Sequence, residues 1–168
     1  MNALQRALLG VLMLLAIVPA SAKDVPVEFV SGRSAIFIKD DPGGVLTEFA
    51  KKYSTWRDDG TNVVIDGECV SACTMLLGLL RPEKVCATKD AVLGFHSAST
   101  ETKEQGKPDI FKHAEEISAL EFNMYPGVVR AFLAKEGWYG PNAHPEIIWV
   151  RGKDVNKFVR PCTADDLS

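Results

Sequence analysis

The chain has 168 residues, of which 46% are hydrophobic and 24% are charged, and its formal net charge is −3. This length fits one domain with a sizeable core, and the composition excludes disordered and collagen-like chains. A mildly acidic chain lacks the basic balance typical of nucleic-acid binding, so we expect no nucleic-acid partner.

The N-terminal stretch has the features of a secretory signal peptide. Arg6 precedes an apolar run over residues 7–18, and small residues end the stretch at Ala22. About 12 apolar residues are too few for a transmembrane helix, which needs about 20. We therefore predict a signal peptide over residues 1–22. The domain over residues 23–168 is expected to be periplasmic or secreted, with no membrane contact after cleavage.

Strand and helix patterns alternate through the first half of this domain. Short apolar runs predict strands, and apolar residues at helical spacing predict helices. The predicted strands are residues 25–30, 34–38, 62–66, 84–87 and 92–95, and the predicted helices are residues 46–57 and 72–80. This alternation predicts an α/β layer with right-handed crossovers between parallel strands.

The second half predicts a mainly helical segment. Residues 100–108 are polar and predict a loop, and Asp109 is the predicted cap of a helix that runs to Met124. Pro126 predicts the start of another helix, which ends at Gly137. A loop over residues 138–145, a short strand over 146–150 and a helical turn over 152–158 complete the prediction.

Three features fall where predicted strands end. A Gly43-Gly44 turn and Ser71 each lie between a strand and a helix, and His96 follows a strand. Because the carboxyl ends of parallel strands share one edge, we expect the three to meet there. A serine needs an imidazole to accept its proton, and an oxyanion needs aimed N–H donors. Each feature also has a structural alternative: an N-cap serine, a plain turn and a solvated histidine.

Three longer motifs surround these residues: Asp41-Pro42-Gly43-Gly44-Val45, Cys69-Val70-Ser71-Ala72-Cys73-Thr74 and Gly94-Phe95-His96. They resemble the motifs of the Clp-type serine peptidases in the crotonase-like superfamily. More closely, the sequence resembles small exported bacterial proteins with a Cys-x-Ser-Ala-Cys-Thr stretch, and the resemblance covers about residues 27–98. The resemblance implies a single-domain α/β fold, a Clp/crotonase-like ββα-repeat layer with a C-terminal helical segment.

The resemblance also implies roles for individual residues. Ser71 would be the nucleophile and His96 the general base, and the backbone N–H groups of Gly44, Val45 and Ala72 would form the oxyanion hole. The implied substrate is a peptide or a small acyl compound, without metal or organic cofactor. Because Clp-type proteins assemble into rings, the resemblance also implies a homo-oligomer.

The acid that would orient His96 is the least defined member of the site. The Clp pattern places an aspartate after the long helix, where this sequence has none. Glu146 is the first candidate and Asn142 the second, whereas Asp109 is expected to cap a helix. A missing acid impairs a triad strongly, so a non-catalytic binding or structural module is the alternative function. Acyl-thioester chemistry is the third hypothesis for the function.

Four cysteines enter an oxidising compartment in this interpretation, and two disulfides are therefore expected. Four cysteines allow three connectivities, which the sequence does not decide. We expect Cys69 to pair with Cys162 and Cys73 with Cys86. A zinc site formed by Cys69, Cys73 and His96 is the alternative, but the spacing is not that of a zinc knuckle, and no metal is expected.

Overall fold

The computed structural model describes residues 35–102, 110–138 and 146–167. The predicted signal peptide, the predicted strand at residues 25–30, Asp109 and Asn142 lie outside the described residues.

Eight strands are found in the described part of the chain. They are β1 (Ala35–Asp41), β2 (Asn62–Val70), β3 (Val85–Ala87), β4 (Val92–Phe95), β5 (Ser99–Thr102), β6 (Ile110–His113), β7 (Ile148–Arg151) and β8 (Arg160–Pro161). Six of them form one curled sheet, and β5 and β6 form a separate antiparallel pair.

The long strand β2 lies at the centre of the sheet. On one edge it pairs with β1, in parallel. Its other edge is shared by two strands, because β3 pairs with Val63–Ile65 and β4 pairs with Glu68–Val70. β8 extends the sheet beyond β3 in parallel, and β7 extends it beyond β4 in antiparallel orientation. Every strand pair that involves β2 is parallel, as the alternating pattern predicts.

Gly67 marks the point where β2 changes partner. The pairing register with β1 shifts between Ile38 and Asp40, and a Cβ atom at position 67 would overlap the Lys39 carbonyl oxygen. Only glycine therefore allows the two backbones to approach so closely there. The irregularity separates the two halves of β2, and the second half leads directly into Ser71.

Four α-helices pack around the sheet: α1 (Leu46–Asp58), α2 (Leu76–Leu79), α3 (Glu115–Met124) and α4 (Gly127–Lys135). Two longer 3₁₀ segments, Ser71–Met75 and Gly152–Lys157, add tight turns. The core contains Tyr53, Leu76, Leu93, Phe95 and Leu133, all fully buried. Fully burying a large apolar side chain stabilises a fold by about 1.5–3 kcal/mol, so this core holds the helices against the sheet.

The predicted α/β class is confirmed, and the described residues form one mixed α/β domain. Three local predictions are wrong. β2 continues to Val70 because its second half pairs with β4. Residues 72–80 form a 3₁₀ turn followed by a single α-helical turn. The helix predicted from Asp109 begins only at Glu115, because Ile110–His113 pairs with Ser99–Thr102, which was predicted as loop. No helix of the described residues is long and apolar enough to span a membrane.

Candidate active site

Ser71 has a backbone conformation that side chains rarely adopt. It directly follows β2 with a φ of 58°, the one positive φ at a non-glycine position in the described part of the chain. Such a conformation costs on the order of 1–3 kcal/mol and persists only where the surroundings enforce it. The N-cap alternative does not hold, because the 3₁₀ turn begins at Ser71 itself and no side chain caps it. A sharp turn from strand to helix presents a nucleophile in hydrolases.

The predicted glycine turn lies directly against Ser71. Gly43 has a φ of 83°, and a Cβ atom there would lie 2.6 Å from the Ser71 Cβ and 2.9 Å from the Ala72 nitrogen. The turn is anchored by Asp41, whose Oδ1 accepts a hydrogen bond of 2.9 Å from the Gly43 N–H. Any larger residue at position 43 would push the turn away from the serine.

Three backbone N–H groups of the glycine turn and the serine turn were predicted to form the oxyanion hole. No described residue accepts a hydrogen bond from the N–H of Gly44, Val45 or Ala72. Val45 also stands at the N-terminus of α1, where the positive end of the helix dipole favours an anion. The close approach of Gly43 to the Ala72 nitrogen brings the glycine turn and the serine turn together. Their assignment to an oxyanion hole stays a prediction.

Asp41 is a buried acid that the sequence interpretation did not assign. Its side chain is 3% exposed, and its Oδ2 lies 3.5 Å from Lys52 Nζ. That ammonium group also lies 3.7 Å from the centroid of the Phe49 ring, and burial lowers the pKa of Lys52 while Asp41 opposes the change. The signal was present, because Asp before Pro-Gly commonly bonds to the backbone two residues later.

His96 lies just beyond β4 and is half-buried. Its Nδ1 lies 2.9 Å from the carbonyl oxygen of Ser97. Because a carbonyl oxygen only accepts, this contact places the proton on Nδ1 and leaves the lone pair on Nε2, as a general base requires. The described residues show no hydrogen bond between His96 and Ser71, so their catalytic pairing stays a prediction.

The acid member of the site also stays a prediction. Glu146 is exposed and forms no hydrogen bond or ion pair with His96 among the described residues. Asn142 lies outside them. The Ser97 carbonyl therefore occupies the Nδ1 side of the ring, where a triad normally holds its carboxylate.

A buried polar network lies behind Ser71. The Thr74 hydroxyl donates a hydrogen bond of 2.7 Å to the Ser71 carbonyl oxygen and lies 2.7 Å from the Tyr125 hydroxyl. Tyr125 in turn lies 3.0 Å from Oε1 of Glu121, which is 2% exposed. Burial raises the pKa of Glu121 to about 7, against the lowering effect of the hydrogen bond with Tyr125. The sequence interpretation missed this network, whose one signal is a glutamate four residues before a tyrosine.

The cysteines form two disulfides, as predicted, but the predicted pairing is wrong. Cys69 pairs with Cys73 and Cys86 pairs with Cys162. The first pair closes because the turn at Ser71 brings the Cα atoms to 5.3 Å. The second closes because β3 and β8 are neighbours, with the Cα atoms 4.9 Å apart. Both cysteines of the zinc alternative are thus oxidised and offer no thiolate ligand.

Comparison with known proteins gives distant structural similarities. No protein-family model matches the chain, and no curated protein matches it. Among solved structures, the chain is similar to a peptidase from Plasmodium falciparum, with 9% identity and a TM-score of 0.45 over 76% of each chain. It is also similar to a protein described as an enzyme, with 10% identity and a TM-score of 0.41 over 76% of each chain. The geometry of the site, rather than either similarity, is the basis for assigning a function.

Proposed function

We propose that the protein is an exported serine hydrolase that cleaves peptides, with Ser71 as nucleophile and His96 as general base. The observation that carries the proposal is the left-handed backbone of Ser71 at the end of β2. A serine held in this conformation without a capping role fits a nucleophile, because strain of this kind clusters at functional sites. The two disulfides support an oxidising compartment, periplasmic or extracellular.

The proposed reaction uses only side chains and backbone groups of this chain. Nε2 of His96 takes the proton of the Ser71 hydroxyl while Oγ attacks the substrate carbonyl carbon. The resulting oxyanion accepts hydrogen bonds from the N–H groups of Gly44, Val45 and Ala72. The imidazolium then protonates the leaving amine as the carbon–nitrogen bond breaks, and a water molecule hydrolyses the acyl-enzyme by the same steps in reverse order.

Exposed apolar side chains on the glycine turn and near Gly94 favour a peptide or acyl substrate with an apolar group. A Cβ atom at Gly94 would lie 3.0 Å or less from Val70, Ile147 and Trp149. Val70, which immediately precedes Ser71, is buried, whereas Ile147 is 36% exposed and Trp149 is 38% exposed. Val45, in the glycine turn, is 58% exposed. Ile147, Trp149 and Val45 are therefore the apolar surface that we propose receives the substrate.

The decisive experiment is covalent labelling with a fluorophosphonate probe, which reacts with activated serines. We expect the folded wild-type protein to be labelled, Ser71→Ala to remain unlabelled, and His96→Gln to be labelled at least tenfold more slowly. Near-ultraviolet circular dichroism of each variant shows that it is folded. A folded wild-type protein that is not labelled, or labelling that persists in Ser71→Ala, would overturn the proposal and favour the non-catalytic binding module.

A matched glycine pair tests the oxyanion hole separately. Gly43→Ala places a methyl group against the Val70 carbonyl and the Ala72 nitrogen, whereas Gly137→Ala meets open space at nearly the same φ, 85° against 83°. Both variants suffer the same backbone penalty, about 1 kcal/mol. We expect only Gly43→Ala to lose labelling, and equal labelling of the two variants would contradict a role for the glycine turn.

A further inference from the structure

We propose that Glu121 is a positioning residue which, in its neutral form, completes a buried hydrogen-bond chain that holds the backbone of Ser71. The chain runs from the Glu121 carboxyl through the hydroxyl groups of Tyr125 and Thr74 to the Ser71 carbonyl oxygen. The function of this hydrogen-bond chain rests on the proposed role of Ser71, whereas the hydrogen bonds themselves do not depend on that role.

The hydrogen-bond chain connects α3 to the serine turn. Glu121 and Tyr125 belong to α3 and its C-cap, and Thr74 belongs to the 3₁₀ turn that begins at Ser71. Thr74 and Glu121 are 0% and 2% exposed, and Tyr125 is 2% exposed. The end of α3 also lies close to α2, which directly follows the 3₁₀ turn, since a Cβ atom at Gly78 would overlap the Met124 carbonyl oxygen. The chain is thus shielded from water and fixed at both ends.

Counting protons along the chain determines the state of Glu121. The Ser71 carbonyl has no proton, so Thr74 must donate its single proton to it. The Thr74 oxygen can then only accept from Tyr125, which uses the single proton of that hydroxyl. The remaining contact, between Tyr125 and Glu121, has a proton only if the carboxyl group of Glu121 is protonated and donates.

Ionisation of Glu121 would break this pattern. A carboxylate only accepts, so the Tyr125 proton would turn towards Glu121. Thr74 would then keep its contact with Tyr125 only by withdrawing its proton from the Ser71 carbonyl. One of the two buried contacts nearest the serine is lost in either case, and an unsatisfied buried polar group is costly. The protonation state of Glu121 therefore changes the hydrogen bonds that hold the backbone of Ser71.

The surroundings of Glu121 favour the neutral form up to about pH 7. Among the described residues, the titratable groups that act along this hydrogen-bond chain are Tyr125, the C-cap of α3, and Tyr53 of α1, which acts on Tyr125 and donates a hydrogen bond to the Cys73 carbonyl oxygen. No lysine or arginine among the described residues forms an ion pair with Glu121. Burial raises the pKa of Glu121 to about 7.

The first test is structural and needs no activity. Serine labelled with carbonyl ¹³C and alanine labelled with ¹⁵N report the Ser71–Ala72 peptide by nuclear magnetic resonance among the few Ser-Ala pairs of the chain. The Ala72→Gly variant assigns the signal by removing it. We expect the Ser71 carbonyl shift of the wild type to titrate with a midpoint near pH 7. Glu121→Gln, whose amide donates at every pH, and Thr74→Val, which lacks the donor, should show no such titration.

The second test measures the rate of fluorophosphonate labelling between pH 5.5 and 8.5. The ratio of the Glu121→Gln rate to the wild-type rate is expected to be near one at pH 5.5 and to rise at least threefold by pH 8.5. Taking the ratio removes every pH effect that the two proteins share. A structural titration without labelling at any pH would contradict the proposed hydrolase but support the chain. A Ser71 carbonyl that does not titrate, or that titrates equally in Glu121→Gln, would overturn the inference.

Discussion

The two disulfides perform different tasks in this molecule. Cys86–Cys162 joins residues 76 positions apart and fastens β8 to the edge of the sheet. Cys69–Cys73 spans four positions and encloses Ser71. In the chain-entropy view, a disulfide stabilises the folded protein by an amount that increases with the logarithm of the number of residues in the loop it closes. This amount is about 4–5 kcal/mol for the long bridge and about 2 kcal/mol for the short one. The difference suggests that one bridge serves stability and the other serves local shape.

The short bridge acts together with other contacts on the same turn. The Tyr53 hydroxyl donates to the Cys73 carbonyl, Thr74 donates to the Ser71 carbonyl, and Gly43 packs against Ser71. Each contact restricts the turn from a different side. The left-handed backbone conformation of Ser71 persists because several independent contacts each enforce it.

Removing the long bridge should give the largest effect on stability. We expect the double variant Cys86→Ala/Cys162→Ala to lose about 4 kcal/mol of unfolding free energy, because its unfolded chain regains the entropy of a long loop. Urea denaturation measures this loss. Labelling of the protein that remains folded at low temperature should be within twofold of wild type. A loss below about 1 kcal/mol would contradict the division of tasks.

The pH dependence of stability tests the region behind the short bridge. Burial raises the pKa of Glu121 to about 7 in the folded state, above its unfolded value, so the folded protein binds the extra proton. Stability is therefore full below about pH 4.5 and falls as the pH rises towards 7, by about 3 kcal/mol in total. Glu121→Gln should lack this decrease. Denaturant midpoints at pH 5 and pH 8 check it, and parallel pH dependences of the two proteins would refute it.

Removing the short bridge should separate shape from stability. The double variant Cys69→Ala/Cys73→Ala is expected to lose only about 2 kcal/mol of unfolding free energy. Its fluorophosphonate labelling should nevertheless fall at least tenfold, because Ser71 relaxes from its left-handed conformation. The long-bridge variant is the control. If the two variants were labelled equally at full folding, the short bridge would have no specific role at the serine.

The smallest effect is expected close to the long bridge. Arg160 forms two hydrogen bonds of 2.7 and 2.8 Å with Asp166, which also accepts from the Thr163 N–H, and these contacts lower the pKa of Asp166. Because the folded pKa is lowered, its contribution is present above the unfolded value near pH 4 and is lost at more acidic pH. The pair is partly exposed, so Asp166→Asn should cost about 1 kcal/mol at pH 7. Thermal melts at pH 7 and pH 2.5 check that the difference becomes smaller in acid.

Local patterns predict the elements around the site well. Strands β1, β3 and β4, helix α1 and helix α4 follow from apolar periodicity and from Pro126. The position of Ser71 between a strand and a helical turn follows as well, because such boundaries are local features. Its positive φ does not follow from any local pattern, and the Gly43 turn that lies against Ser71 comes from a distant part of the sequence.

Long-range features could not be predicted from the same patterns. The cysteine pairing depends on β3 and β8 being neighbours, and β8 is only two residues long. The strand pair of β5 and β6 was missed because residues 99–102 are polar and resemble a loop. Glu121 was assigned to a helix and Tyr125 lies just after its predicted end, but their burial depends on how α3 packs near the turn after Ser71. Sequence spacing alone does not contain that information.

The order of the cysteines along the chain has a consequence for oxidative folding. When Cys86 becomes available, its partner Cys162 is still 76 residues away, while Cys69 and Cys73 already lie upstream. Closing a loop of a few residues is faster and entropically cheaper than closing a long one. We therefore expect Cys69 and Cys73 to pair with each other first, which removes them as wrong partners for Cys86. In that order, the bridge around the serine would also leave Cys86 and Cys162 as the remaining pair when β8 joins the sheet.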